Sequence, residues 1–458
     1  MLARLVSPSE HGLYAMAASV TLFLWMFRDL GLGTATVQTA KVDESLRTAL
    51  LWVHLGIGLT LTLVTTATGP FVAKFYALPS LTPLLGCMSL SFLFIGIGGL
   101  PRSLLVRELR FRELNQLESI AAVTGTVAMI AAALMGAGAY AFAVFLLVWE
   151  FLCAALAWWH YRWRPTARAG YREIRPLIRA GLHLTQYNAL NYLSQQIEII
   201  AIGQWLGAHK LGLYNRSGQM LALPMAHIAE PLSQVSLTTL SRVTPASTEF
   251  CRQAVSSINL IAHLTLPIAA FAIAAPEETV RSVLGPQWNE AAPILRWLAV
   301  SAAITQLTLV AQSVALAAGQ SRRLIHTAIF ALPFLALAVI LGIPHGAIGV
   351  AMAVAAANLF LALPRLWWRL HGSPLSVSAY ANAILYPFIN STALATGATL
   401  GRTLFSADNF IGKLSGALVG ATLGVALAGW IFSRLRQEWS EVWTHLPWGA
   451  RAVRTPSN

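Results

Sequence analysis

Charge is scarce in this chain. Only 11% of its 458 residues are Asp, Glu, Lys or Arg, against about 25% in soluble domains. Hydrophobic residues make up 56%, and the mean hydropathy is +0.63. Soluble cores stop growing near ~250–300 residues, so a water-soluble globule cannot absorb this much apolar sequence. Cysteine is nearly missing. Cys87, Cys153 and Cys251 stand far apart, with neither zinc-site spacing nor a disulfide framework. No metal and no cofactor is expected. The phosphate-cradling pattern GxxxxGK[ST] is missing, as is any soluble stretch that would house a nucleotide domain, so direct ATP drive is not expected. The opening "MLARLV" lacks the apolar core of a signal peptide.

What the chain has is apolar runs of bilayer length, about 20 residues each. Thirteen are read, centred near residues 24, 59, 93, 127, 149, 195, 224, 266, 304, 332, 356, 391 and 423. The runs near 195 and 224 are rich in Gln, Asn and Ser. They count as spans because their spacing fits and a polar stripe can face a bundle interior. The expected fold is therefore all-α and polytopic, with about 13 membrane helices.

Positive charge sets the orientation. Loops on the cytoplasmic side of a membrane collect Lys and Arg. One alternating set of loops, together with the C-terminal tail, holds 22 of the 31 Lys and Arg, and the opposite set holds 6. The first set, and the C-terminus with it, is assigned to the cytoplasm. The net charge of +13 then lies against anionic headgroups of the bilayer lipids, and no nucleic-acid partner is needed to explain it.

A short signature returns. Gly12-Leu13-Tyr14 recurs as Gly212-Leu213-Tyr214, 200 positions on. Ordered matches follow: Pro70 with Pro276, Pro83 with Pro293, and the basic turn "SLLVRELRF" with "ALAAGQSRRL". Such internal similarity suggests duplicated bundles. The repeat unit holds six spans, so both copies point the same way and are related by an axis along the membrane normal. The span "NYLSQQIEIIAIGQWLG" precedes Gly212, whereas eleven residues precede Gly12. The first copy is thus expected to lack its first helix, and a parent with one more helix upstream would have fourteen spans.

Three stretches carry a family resemblance. "LARLVSPSEHGLYAMAASVTLFLWMFRDLGLGTATVQ", "GLPRSLLVRELRF" and "LGAHKLGLYNRSGQMLALPMAHIAEPLSQV" resemble Wzx-type polysaccharide flippases, within the multidrug/oligosaccharidyl-lipid/polysaccharide exporter superfamily. The similarity covers roughly residues 2–370. It implies a fourteen-helix fold with two six-helix lobes around a cavity. It also implies movement of an undecaprenyl-pyrophosphate-linked oligosaccharide from the cytoplasmic to the periplasmic leaflet of a bacterial inner membrane. The lipid-linked oligosaccharide is the implied partner, with polysaccharide polymerase and chain-length machinery next in line. Two departures concern the cavity. Gln196-Ile197-Glu198-Ile199 replaces an Asn-x-Asp-Asn-like cluster, and Glu150 stands where the family often has an amide.

On that resemblance the lobes run 1–161 and 180–372, joined by a basic linker 162–179. A final helix pair spans 373–433, and 434–458 is a cytoplasmic tail. Arg28, with Asp29 as partner or gate, is the candidate pyrophosphate contact; the alternative is a helix-end pair that snorkels to the interface. Asn188, Asn191, Gln195 and Glu198 recur at spacings of 3, 4 and 3, one helical face. The amides are candidates for sugar hydroxyls and Glu198 for ion coupling; the alternative is interhelical glue. Arg216 and Gln219, one turn apart, are candidate contacts for phosphate or sugar, or an interface anchor. Two other functions compete. A drug exporter shares the fold, and fold does not fix substrate. A membrane-embedded polysaccharide polymerase or ligase would need a large outer loop, and the longest here, "APEETVRSVLGPQWNEAAP", is short.

Overall fold

The computed structural model describes residues 2–28, 30, 32, 33, 36, 43–165, 171–244, 247–317, 321–371, 375–404 and 410–431. Side chains are left out for most of 171–195 and for several positions in 309–328 and 430–431. The tail 434–458 and part of the linker 162–179 lie outside the described residues.

Fourteen α-helices and no strand occur among the described residues. They are α1 (Leu2–Leu5), α2 (Pro8–Trp25), α3 (Glu44–Phe75), α4 (Leu81–Arg107), α5 (Phe111–Leu134), α6 (Tyr140–His160) and α7 (Tyr171–Leu240). Then follow α8 (Thr248–Ala274), α9 (Pro276–Val283), α10 (Ala291–Ala317), α11 (Ser321–Gly342), α12 (Gly346–Leu370), α13 (Val377–Leu404) and α14 (Phe410–Ile431). Among the described residues, seven helical segments are long and apolar enough to cross a membrane, one of them, Ile329–Leu370, running over both α11 and α12. The chain is an all-α, multi-pass membrane protein. Large side chains such as Val123, Val127, Phe151 and Leu427 stand exposed on these helices, as lipid-facing positions must.

Local chemistry sets the helix bounds. The run read as centred near residue 24 lies further toward the N-terminus, its helix being Pro8–Trp25. Its start is fixed by a capping box: the Glu10 N–H donates to Ser7 Oγ, and the Ser7 N–H donates to Glu10 Oε2 at 2.8 Å. Pro8 takes the first helical position, where its missing N–H costs nothing. Ser7→Ala is expected to lower stability by about 1 kcal/mol, seen as an earlier thermal unfolding midpoint of the purified protein. The two polar runs near 195 and 224 form one long helix broken at Gly207, whose φ of 80° is the left-handed conformation glycine adopts without strain.

Two compact units divide the chain, residues 1–212 and 213–458. In the first, α3 packs on α4, α4 on α6, and α5 on α6. Leu46, Leu50, Leu100, Leu104, Cys153 and Ala157 form its main core. In the second, α8 packs on α10, α10 on α12, and α11 on α12, with α13 against α8 and α14 against α13. Phe250, Ile258, Val314 and Tyr380 lie in its core. The neighbour pattern of α3 to α6 thus reappears in α8 and α10 to α12, as duplication requires.

The repeated signature has a structural meaning within the first unit. A Cβ on Gly12 would lie 1.7 Å from the carbonyl oxygen of Ala208, and one on Gly212 would lie 1.8 Å from that of Pro8. Ser9 Oγ is 3.3 Å from His209 Nδ1. Pro8 and Ala208, Ser9 and His209, Gly12 and Gly212 are all pairs 200 apart. The two copies meet each other with exchanged roles, and each glycine is there because the other copy's backbone fills the space of its side chain.

Candidate functional site

Arg28 ends the turn that follows α2. Its guanidinium carbon lies 3.4 Å from the centroid of the Trp25 ring, a cation–π contact that holds a charge against an apolar helix end. The same side chain lines a cavity of about 420 Å³, together with His54 from α3, Arg102 and Ser103 from α4, and Glu118 from α5. Asp29 lies outside the described residues. The cavity wall also holds a second cation, Arg102.

Arg102 sits inside α4, one residue after Pro101 and one helical turn and more before the helix ends at Arg107. Its Nη2 donates to Glu118 Oε1 at 3.1 Å, and its Nη1 lies 3.5 Å from Glu150 Oε2. Glu150 comes from the middle of α6 and is 4% exposed. It also lines a second cavity, of about 270 Å³, with Tyr14, Thr21, Trp25 and Trp149. The Arg102–Glu150 pair and the Trp25–Arg28 contact therefore stand between two voids of one unit. An ionised group placed in hydrocarbon costs at least ~2.5–3.5 kcal/mol on insertion scales. Arg28, Arg102, Glu118 and Glu150, two of each sign, gather around one cavity, and such groups among apolar helices call for a function or a close mutual pairing.

The second unit holds a related arrangement without the carboxylate. Gly138 and Gly346, both with positive φ, stand at the starts of α6 and α12. Glu150 lies twelve residues after the first and Asn358 twelve residues after the second. Asn358 is 8% exposed, donates from Nδ2 to Ser301 Oγ at 2.8 Å, and accepts from Arg365 Nη1 at 2.9 Å. One copy of the duplicated helix carries a titratable group at this buried place; the other carries an amide.

The remaining sequence candidates are distributed as follows. Glu198 is half-buried on the α7 segment before Gly207. The side chains of Asn188, Asn191 and Gln195 lie outside the described residues. Nearby Tyr192 donates to the Ser19 carbonyl at 3.1 Å, tying this segment to α2. Arg216 donates to Gln219 Oε1 at 2.9 Å, and Gln219 Nε2 donates to Asn215 Oδ1 at 2.8 Å. This chain of three polar side chains lies on the α7 segment after Gly207. Among the described residues no cluster of His, Cys, Asp and Glu could hold a metal ion.

A family model described as "Polysaccharide biosynthesis protein" matches residues 1–293. The chain belongs to that family. Among its relatives, the teichuronic acid biosynthesis protein TuaB of Bacillus subtilis (strain 168) is 24% identical over 392 residues, covering 84% of this chain and 81% of TuaB. The succinoglycan biosynthesis transport protein ExoT of Rhizobium meliloti (strain 1021) is 25% identical over 304 residues, 66% of this chain and 62% of ExoT. In architecture, the chain resembles the lipid II flippase MurJ in an inward closed conformation. The TM-score is 0.69 at 16% identity, covering 94% of this chain and 95% of MurJ. That likeness shows the fold. Within the first unit, one cavity has two arginines, Arg28 and Arg102, in its wall.

Proposed function

We propose that this protein moves an oligosaccharide linked to undecaprenyl diphosphate from the cytoplasmic to the periplasmic leaflet of the bacterial inner membrane, by alternating access. The observation that carries the reading is the cavity of about 420 Å³ with Arg28 and Arg102 in its wall, set in a multi-pass helical body. A guanidinium suits a diphosphate because its planar fork makes two bonds to phosphate oxygens. Arg28 is assigned the diphosphate, with Asp29 as its partner. Asn188, Asn191 and Gln195 are assigned the sugar hydroxyls, Arg216 and Gln219 a further phosphate or sugar contact, and Glu198 an ion-coupling role. The bias of Lys and Arg in the loops supports a cytoplasmic C-terminus. Family membership supports a place in polysaccharide assembly, and the flipped product would pass to polymerase and chain-length machinery.

The test is the appearance of the lipid-linked saccharide in the outer leaflet of a deletion strain complemented with the protein. Arg28→Ala is expected to reduce that appearance about tenfold or more, the loss of one charge-assisted phosphate contact. Arg28→Lys, which keeps the charge but not the fork, should restore part of it. Unchanged flipping by Arg28→Ala at equal protein level would return Arg28 to an interfacial anchor. A deletion strain with a normal outer-leaflet pool but heightened drug sensitivity would instead identify a drug exporter.

A further inference from the structure

Arg102 is shared. Its guanidinium serves Glu118 on one side and Glu150 on the other, and it also faces the cavity proposed for the headgroup. Among the described residues, the charged groups in reach of Glu150 are Arg102, Arg28 and Glu118. Cys153 follows one turn on along α6, Tyr14 faces the same smaller cavity from α2, and His54 faces the larger one from α3. With His54 neutral and Asp29 outside the described residues, the four charged side chains pair two cations with two carboxylates.

A diphosphate drawn to Arg28 upsets this balance. Arg102 is the further cation on the same cavity wall, and swinging it toward the phosphate oxygens sacrifices first its longer contact, the one of 3.5 Å to Glu150 against 3.1 Å to Glu118. Its two carboxylates differ in what they can tolerate. The Glu118 side chain is 38% exposed and lines the cavity, where water or the incoming headgroup's own hydration can replace its cation, whereas that of Glu150 is 5% exposed. A buried carboxylate that loses its cation neutralises instead of remaining charged.

We propose that Glu150 takes up a proton in exchange for Arg102 when a diphosphate enters the cavity, so that headgroup binding and protonation are one linked event in the first unit. This rests on the headgroup reading of Arg28. The step balances simply: the Glu150 carboxylate and one proton from water give the carboxylic acid, Arg102 passes to the phosphate oxygens, and no bond of the diphosphate forms or breaks. Asn358 gives the reading an internal comparison. The equivalent place in the second unit holds an amide on Arg365 and Ser301, a pairing that does not titrate. Exchange of this kind is therefore confined to one copy of the repeat. Asn358 also shows that an amide can occupy this position of the fold, which makes Glu150→Gln and Glu150→Asn reasonable probes.

The experiment uses the full chain in lipid nanodiscs and titrates it with farnesyl diphosphate, then with inorganic pyrophosphate, by calorimetry in buffers of different ionisation enthalpy. The wild type should take up about one more proton per diphosphate than Glu150→Gln, a difference that cancels the ligand's own titration. Its affinity should rise by up to about tenfold more per unit fall in pH than that of the variant. Glu150→Asn should behave as Glu150→Gln does. Preference for farnesyl diphosphate assigns the exchange to the lipid carrier, and equal affinity for inorganic pyrophosphate assigns it to diphosphate as such. Binding with the same proton count in wild type and both variants would overturn this inference and leave Arg28 in place. No binding of either ligand to the wild type would overturn the headgroup reading and this inference with it.

Discussion

Gly12→Ala should leave little well-folded protein, although alanine is the better helix former by about 1 kcal/mol. The added methyl would lie 1.7 Å from the Ala208 carbonyl oxygen and 2.5 Å from its carbon. Both are backbone atoms of a helix, so no side-chain rotation relieves the clash and one helix must move. Overpacking that side chains absorb costs typically ~1–3 kcal/mol; a backbone clash this deep lies beyond that range. Gly212→Ala should do the same, since its methyl meets the Pro8 carbonyl oxygen at 1.8 Å. Gly56 gives the control, because a methyl there meets nothing within 4 Å. Gly56→Ala should be neutral or slightly stabilising. The measurement is the yield of monodisperse protein by size-exclusion chromatography after detergent extraction, together with its thermal midpoint. A normal profile for Gly12→Ala would mean that the two copies of the signature do not approach this closely.

Arg402→Ala is expected to be nearly as damaging, by a different route. Arg402 near the end of α13 donates to the Ala274 carbonyl at 2.8 Å, and its Nε lies 2.9 Å from Glu278 Oε1. Glu278 on the short helix α9 is 2% exposed. Removing the arginine leaves a buried carboxylate and a buried carbonyl without their cation. Breaking a buried pair from one side costs ~3–5 kcal/mol. Adding Glu278→Gln to Arg402→Ala should recover part of that loss, because an amide tolerates burial better than an uncompensated charge. Thermal unfolding and limited proteolysis of the single and double variants check this. A double variant no more stable than the single one would show that the arginine acts through its carbonyl contact rather than through Glu278.

Much of this architecture is legible in the residues. The scarcity of charge and the long apolar runs lead to an all-helical membrane body, and the 200-residue interval between Gly12 and Gly212 points to the duplication seen in the helix neighbours. Arg28 is conspicuous as a charge beside an apolar run, and it does line a cavity. Arg102 is not conspicuous. It lies just after Pro101 among basic residues that resemble a loop, yet it belongs to α4, because the helix continues through Pro101 to Arg107. Its pairing with Glu118 and Glu150, 16 and 48 residues away, depends on how three helices are rotated about their axes. Apolar periodicity is weak in such helices, since most faces meet either lipid or another helix. The usable signal was a charged residue inside each of three successive runs. The "APEETVRSVLGPQWNEAAP" stretch reads as a short outer loop, yet it builds α9 and a 3-10 turn that buries Trp288 completely. Burial of that kind depends on tertiary packing around the turn, which no local pattern states.

The final helix pair is joined backbone to backbone. A Cβ on Gly397 would lie 2.1 Å from the Gly420 carbonyl oxygen, and one on Gly401 would lie 2.0 Å from that of Gly416. Leu400, Leu404, Ile411 and Leu418 remain exposed around the contact. In a bilayer such a contact competes with acyl chains rather than with water, since lipid tails are as apolar as leucine. Separating the two helices would expose almost no apolar surface to water, and its heat-capacity change should be small, unlike that of a soluble core. The stability of this pair should then follow the order and packing of the surrounding acyl chains more than temperature itself, so the lipid composition of the membrane sets how firmly the last two helices hold together.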